Sequence, residues 1–201
     1  MSLFNKISYT YLGDHMNIKE QIKNYIPQNM QEESDKKVIL TYLNTFNNCF
    51  DRENSLGHFT ASCWIINKEK TKVLMAYHNI YKSFAWLGGH ADGNENLLEV
   101  ALLEAKEESG IKNIKIIDNN IFSLDVIEVT GHTKKGKYIT PHVHLNITYF
   151  FEGDENDILY IKDDENSDVK WINITDIDKL VTEEHMLYYY HKFIERAKNR
   201  N

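Results

Sequence analysis

Glu104, Glu107 and Glu108 stand at i, i+3 and i+4 in the stretch 97–111, where Leu98, Ala101, Leu102 and Ala105 keep apolar residues at helical spacing. Three carboxylates therefore share one helix face. Like charges so placed repel by roughly 0.2–0.5 kcal/mol per pair, and a divalent cation between them removes the repulsion. Carboxylate oxygens are hard ligands suited to Mg²⁺ or Mn²⁺, ions that keep several waters and bridge to substrate phosphates. The chemistry indicated is that of a phosphate ester or anhydride. Just upstream, Gly88-Gly89 supplies a turn whose backbone can approach metal or phosphate with no side chain in the way. An acidic helix face alone is ordinarily solvated surface. With the glycine turn just upstream of this one, loop and helix would make one site.

Other residues carry weaker signals. His142 and His144 point to one side of a strand with Asn146 beyond, and His58 and His90 are candidates to join them in the fold. Such a set can bind metal or substrate, although a His-x-His pair on a strand is more often a half-buried polar stripe. Lys134, Lys135 and Lys137 around Gly136 form a basic turn that can reach a phosphate but more often decorates a hairpin tip. Tyr188, Tyr189 and Tyr190 occupy successive helical positions and cannot all face one ligand. Trp64, Trp86 and Trp171 are core candidates first, with Trp86 close enough to the glycine turn to flank a base or ribose.

The elements that must position these groups are legible in outline. Apolar residues recur at three and four over 16–26 (Ile18, Ile22, Tyr25, Ile26) and 34–50 (Ile39, Tyr42, Leu43, Phe46, Cys49, Phe50), which predicts two amphipathic helices. From His58 the texture is β-branched and aromatic. The pattern predicts a hairpin of 59–66 and 72–78, a short strand at 84–87, a helix over 95–109 stopped by Gly110, and strands at 114–117, 121–130, 142–152 and 169–172. Helices follow at 175–181 and 183–198. Residues 1–15 show no convincing period and precede a natural restart at Met16, so they read as an engineered or upstream remnant without function. The polar stretch 51–55 suggests a helical extension over 16–56 and a main domain over 57–201.

The composition fits one domain plus an extension: 201 residues, 42% apolar, 12% aromatic and two prolines. No run of eighteen apolar residues suggests a membrane span. Two cysteines in unrelated settings and no secretion signal point to a reducing, cytoplasmic location. A net charge of −7 disfavours a nucleic-acid polymer but not a small anion held by metal or local positive charge.

Gly89, Glu95, Glu104, Glu107, Glu108, Gly110 and Ile111 fall at the spacing of the Nudix box, and the chain resembles the Nudix hydrolases from about His58 to its end. The resemblance implies an α+β fold, the Nudix α/β/α sandwich with a mixed sheet, here preceded by the helical extension. It implies a metal-dependent pyrophosphohydrolase acting on a small diphosphate, with a nucleoside diphosphate derivative as substrate. The Gly88 carbonyl and Glu104, Glu107 and Glu108 would hold Mg²⁺ or Mn²⁺. Glu165, in the loop before the last strand, is the leading candidate for a further catalytic acid or base, ahead of Asp164, Glu155 and Glu152, and Glu104 is the alternative base. The position before Glu104 is usually Arg, paired with the carboxylate at Glu95; here it is Leu103, so Glu95 needs another partner or water. The extension can cap the site or make a homodimer contact. Two rivals share the fold: an enzyme resembling isopentenyl diphosphate isomerase, to which the histidines point, and a sensing module without turnover, which Leu103 keeps open. Against the isomerase, Gly88 stands where that family carries a catalytic Cys.

Overall fold

The computed structural model describes residues 17–134, 136–161 and 166–200. The stretch 1–15 and Lys135, Asp164 and Glu165 lie outside them. Among the described residues two helices come first, α1 (Ile18–Asn24) and α2 (Met30–Thr45), followed by strands β1 (Gly57–Ile66), β2 (Lys72–His78), β3 (Ser83–Ala85) and β4 (Leu87–His90). Helix α3 (Leu97–Ser109) leads into β5 (Ile114–Val129), a small hairpin of β6 (His132–Lys134) and β7 (Lys137–Ile139), and the long β8 (His142–Gly153). β9 (Asn166–Asn173), a 3-10 turn, α4 (Ile177–Leu180) and α5 (Glu184–Lys198) complete it.

The sheet is mixed, in the order β3-β2-β1-β8-β5, with β4 also on β1 and β9 on β2. The predicted hairpin of β1 and β2 exists only at its turn. Asn67 accepts hydrogen bonds there from the Thr71 and Lys72 amides, both at 2.9 Å, and the one paired rung is Ile66 with Val73. Beyond it the strands part and β4 occupies the edge of β1, pairing Cys63 to Thr60 with Leu87 to His90. All ten residues of β1 are buried, as expected of a strand covered on both faces.

Helices cover the sheet on both sides. Phe59, Ala61, Cys63 and Ile65 join Leu145, Ile147, Tyr149 and Phe151 in a core under α1, α2 and α3. Trp64, Ile66, Met75, Phe122 and Phe150 pack on the other face against Tyr190 and Phe193 of α5. This is the expected α/β/α arrangement, with the N-terminal helices present.

Several boundaries differ from the sequence pattern, each for a local reason. Helix α2 starts a turn before residue 34 because Asn29 caps it, accepting from the Glu32 amide at 2.9 Å, and the residue buried in that first turn is Glu32. An acid on the inner face is invisible to apolar periodicity. The strands expected at 114–117 and 121–130 are one strand, because Asp118 and Asn120 form a local turn inside an irregularity in the β5–β8 pairing. Ile26, placed on the apolar face of the first helix, lies beyond its end and is 79% exposed.

Candidate active site

Helix α3 lies on β1 and β4, and two side-chain ends fix its angle to the glycine turn. The Gly88 amide donates to Glu108 Oε2 at 2.9 Å, and Asn166 Nδ2, from the start of β9, donates to Glu108 Oε1 at 3.0 Å. Glu104 lies against Gly89 so closely that a Cβ there would fall 2.4 Å from its carboxyl carbon. A Cβ on Gly88 would instead meet the backbone of β1, 2.6 Å from the Ala61 carbonyl oxygen. The two glycines thus serve different neighbours: Gly88 lets β4 pair with β1, and Gly89 leaves room for a carboxylate. At the far end of α3, Gly110 takes the left-handed conformation (φ 71°) and closes the helix by donating to the Lys106 carbonyl. Glu107 is exposed, one turn from Glu104 on the same helix.

The segment between β4 and α3 is held without the pairing of Glu95 that an Arg at position 103 would allow. Leu103 is 41% exposed and Glu95 is exposed. In its place Arg52 grips both carboxylate oxygens of Asp92, its Nε donating at 2.6 Å. The Gly93 amide donates to the Phe50 carbonyl at 3.1 Å, and Asn94 binds both the Asn96 amide and Glu99. Arg52, Asp92 and Asn94 carried no sequence signal, because their partners come from a loop forty residues away or from an ordinary polar turn.

Gly88, Gly89, Glu104, Glu108, Asn166 and Arg52 border a cleft of about 700 Å³. Its wall comes from the parallel pairing of β1 with β8, which sets His58 beside His144, Thr60 beside Asn146, Ser62 beside Thr148 and Trp64 beside Phe150. The odd-numbered residues of both strands enter the core under α3, so the even-numbered ones face the other way. Thr60 donates to Asn146 Oδ1 at 3.0 Å, while Asn146 Nδ2 donates to Ser62 at 2.9 Å and to Thr148 at 3.0 Å. This closed polar ladder satisfies its own buried groups.

At the end of the ladder His142 and His144 meet His58 and His90, with ring centroids 5.0–5.2 Å apart for five of their pairings. Burial, then the neighbouring rings, pushes His144 down to about 2; burial, then the Arg52 cation and the His58 ring, pushes His90 down to about 4; burial also lowers His58. All three are neutral near pH 7. Lys134 and Tyr138 of the β6–β7 hairpin also line the cleft.

Other sequence candidates are placed elsewhere. Glu155 pairs with Lys72 at 2.8 Å and Glu152 stands 3.9 Å from Lys115, both around a separate surface hollow. Trp86 lines the cleft but is fixed by stacking on Phe193 and an edge contact with Tyr190. Tyr190 is fully buried and Tyr188 is 51% exposed. Cys63 is fully buried behind β4, its thiol pushed well up by burial and by the nearby Glu108 and Glu104, which makes it an inert core residue.

The family model for the NUDIX domain matches residues 57–193. The chain belongs to the Nudix family. Its fold is that of solved Nudix structures: a NUDIX-family hydrolase from Clostridium perfringens (23% identity, 69% of this chain and 96% of that one, TM-score 0.50) and the hydrolase RenU from M. smegmatis (14%, 72% and 89%, TM-score 0.51). The dihydroneopterin triphosphate pyrophosphohydrolase of E. coli is similar too (14%, 68% and 94%, TM-score 0.50). No curated protein sequence matches the chain. As a Nudix hydrolase, the protein acts on phosphoric anhydride bonds.

Proposed function

We propose that this Nudix chain is a Mg²⁺- or Mn²⁺-dependent pyrophosphohydrolase that cleaves the diphosphate linkage of a nucleoside diphosphate derivative. The observation that carries the reading is the junction of α3 with the glycine turn, where Glu108 is oriented by the Gly88 amide and Asn166 while Glu104 fills the space left by Gly89. The donor set fits a hard divalent cation. The Gly88 carbonyl with Glu104, Glu107 and Glu108 would hold it, and when bound it supplies charge neutralisation for the diphosphate and an acidified water.

The chain's own residues do the rest. Lys134 and Arg52, the latter paired with Asp92, line the cleft, where a polyanion would meet them. Glu165 remains the leading base by its place in the sequence. The next residue, Asn166, is buried and touches Glu108, which supports a role for this segment. Glu104 is the alternative base. A cleft of this volume is of the size that takes a small-molecule substrate, and among the described residues no helix is long and apolar enough to cross a membrane. A reducing, cytoplasmic setting belongs to the same reading, supported by Cys49 and Cys63 as buried free thiols.

The isomerase reading meets a specific obstacle. A side chain at position 88 would collide with the backbone of β1, so this turn has no room for the cysteine that reading needs.

The test is phosphate or nucleotide release with Mg²⁺ across a panel of nucleoside diphosphate derivatives, with Glu108→Gln as control. Release by the wild type alone is expected and names the substrate class. No release from any compound, or equal release by Glu108→Gln, overturns the reading.

A further inference from the structure

We propose that His58, His90 and His144 form a second metal site in the cleft, one for a first-row transition cation such as Zn²⁺ and distinct from the carboxylate set on α3. The three come from adjacent strands. His58 of β1 is registered beside His144 of β8, and His90 of β4 beside Thr60 of β1, so all three project from the same face of the sheet. One ligand nitrogen from each lies within 4.8 Å of the others. Modest side-chain rotation brings such a set to the metal–nitrogen distance of about 2.0–2.1 Å.

Two further observations point to a ligand. His58 is 3% exposed, yet its Nε2 has no hydrogen-bond partner among the described residues, and neither does the buried Nε2 of His144. Buried polar atoms are nearly always satisfied. Two unsatisfied imidazole nitrogens in one cluster are accounted for together by a shared cation. The Nδ1 of His58, meanwhile, donates to the Asn54 carbonyl at 3.0 Å, which puts the proton on Nδ1 and leaves the Nε2 lone pair available. A backbone carbonyl behind a ligand ring is the usual support of a metal-bound histidine. His142 is held in the same manner by the Thr140 carbonyl at 2.8 Å and flanks the set.

The donor chemistry separates the two sites. Imidazole suits Zn²⁺, Fe²⁺, Ni²⁺ or Cu²⁺, whereas Mg²⁺ and Mn²⁺ prefer the oxygens of Glu104, Glu107 and Glu108. Three protein ligands leave at least one coordination position open. Because the three histidines line the cleft, a water or an anionic oxygen of the substrate would complete it. The site does not depend on the hydrolase reading.

The experiment is metal binding by the whole chain after removal of metal with a chelator. Zn²⁺ is titrated in competition with a chromogenic chelator, and Co²⁺ is added separately to read its visible absorption. One Zn²⁺ per chain is expected, with affinity falling at least about 100-fold in His144→Ala, loss of the Co²⁺ band in that variant, and both signals retained in Glu108→Gln. Should His144→Ala fail to fold by circular dichroism, His90→Gln on the shorter β4 carries the comparison. Absence of Zn²⁺ binding by the wild type overturns the proposal. So does binding that survives loss of the histidine but not Glu108→Gln, since the ion would then sit on the carboxylates.

Discussion

The two glycines of the turn make opposite demands on a substitution. An added methyl at Gly89 meets the end of the Glu104 side chain, which can swing away, whereas one at Gly88 meets the β1 backbone, which cannot. Gly89→Ala should therefore leave the unfolding midpoint nearly unchanged while cutting kcat, because the displaced carboxylate belongs to the proposed metal set. Gly88→Ala should cost about 1–3 kcal/mol of stability through overpacking. Denaturant melts with parallel turnover assays separate the two, and a large stability loss in Gly89→Ala would show that Glu104 is not free to move. Glu107→Gln and Glu108→Gln should each lower turnover by roughly 10²–10⁴-fold, the several kcal/mol a bound cation contributes at tenfold per 1.36 kcal/mol, with circular dichroism unchanged. Full activity in both would remove α3 from the chemistry.

Among the elements, the loop between β4 and α3 shows how one missing side chain is replaced by others. The Arg52–Asp92 pair, the Gly93 amide and Asn94 hold the segment that a pairing of Glu95 would have held. Leu103→Arg should accordingly change kcat/KM by no more than a few-fold, since the new guanidinium adds an anchor to a loop already fixed. Arg52→Ala should raise KM more than it lowers kcat, because the exposed ion pair contributes little to stability while Arg52 itself borders the cleft. Steady-state kinetics of both variants test this, and a collapse of kcat in Leu103→Arg would mean that the site is built around the leucine. The β1–β2 hairpin carries the related lesson that strand periodicity predicts strands but not partners. Its two strands part after one rung, and the partners of β1 are β4 and β8, one of them more than eighty residues away.

At the scale of the whole molecule, a buried ionic network ties the N-terminal helices to the rest. Arg196 of α5 donates to Glu32 of α2 at 2.6 Å and to the Tyr25 hydroxyl at 3.0 Å, and Tyr25 donates to Glu32 at 2.8 Å. Lys192 lies 3.2 Å from Glu32 and also pairs with Asp125 of β5, whose other oxygen accepts from Ser123 at 2.8 Å. Two acids and two bases balance inside the fold. Removing one partner of such a set typically costs about 3–5 kcal/mol, so Glu32→Ala should destabilise by that order in urea titrations. A loss below about 1 kcal/mol would show the helices to be only loosely attached.

The same network sets a pH dependence. Burial opposes ionisation of Glu32, but the Gln28 amide and the Lys192 and Arg196 cations outweigh it and hold the carboxyl below its ordinary value. Its stabilisation is present above the ordinary Glu range, about 4.3, and is lost as the pH falls toward the lowered folded value. Asp125 runs the other way. Burial raises its carboxyl despite Lys192, so its ionised form costs stability at neutral pH and that cost disappears on acidification. Stability measured from pH 7 downward should fall less steeply in Glu32→Gln than in wild type; an unchanged acid limb would place the sensitivity elsewhere.

What the sequence by itself determined is what depends on short-range spacing. The carboxylate face of α3, its stop at Gly110, the glycine pair before it and most strands follow from periods of 3.6 and 2 and from turn residues within one segment, which is why the family resemblance could be read there. What only the tertiary structure decided depends on strands distant in the chain meeting at a fixed register. His58, His90 and His144 are dispersed over more than eighty residues, and only the β1–β8 and β1–β4 pairings turn them to one point. The histidines were at least candidates in the sequence; Asn166 beneath Glu108, the Arg52 clamp and the inward Glu32 were silent, since each is an ordinary polar residue until a partner from another element arrives. Local pattern reports which face of an element is buried; it carries no information about which buried faces will touch.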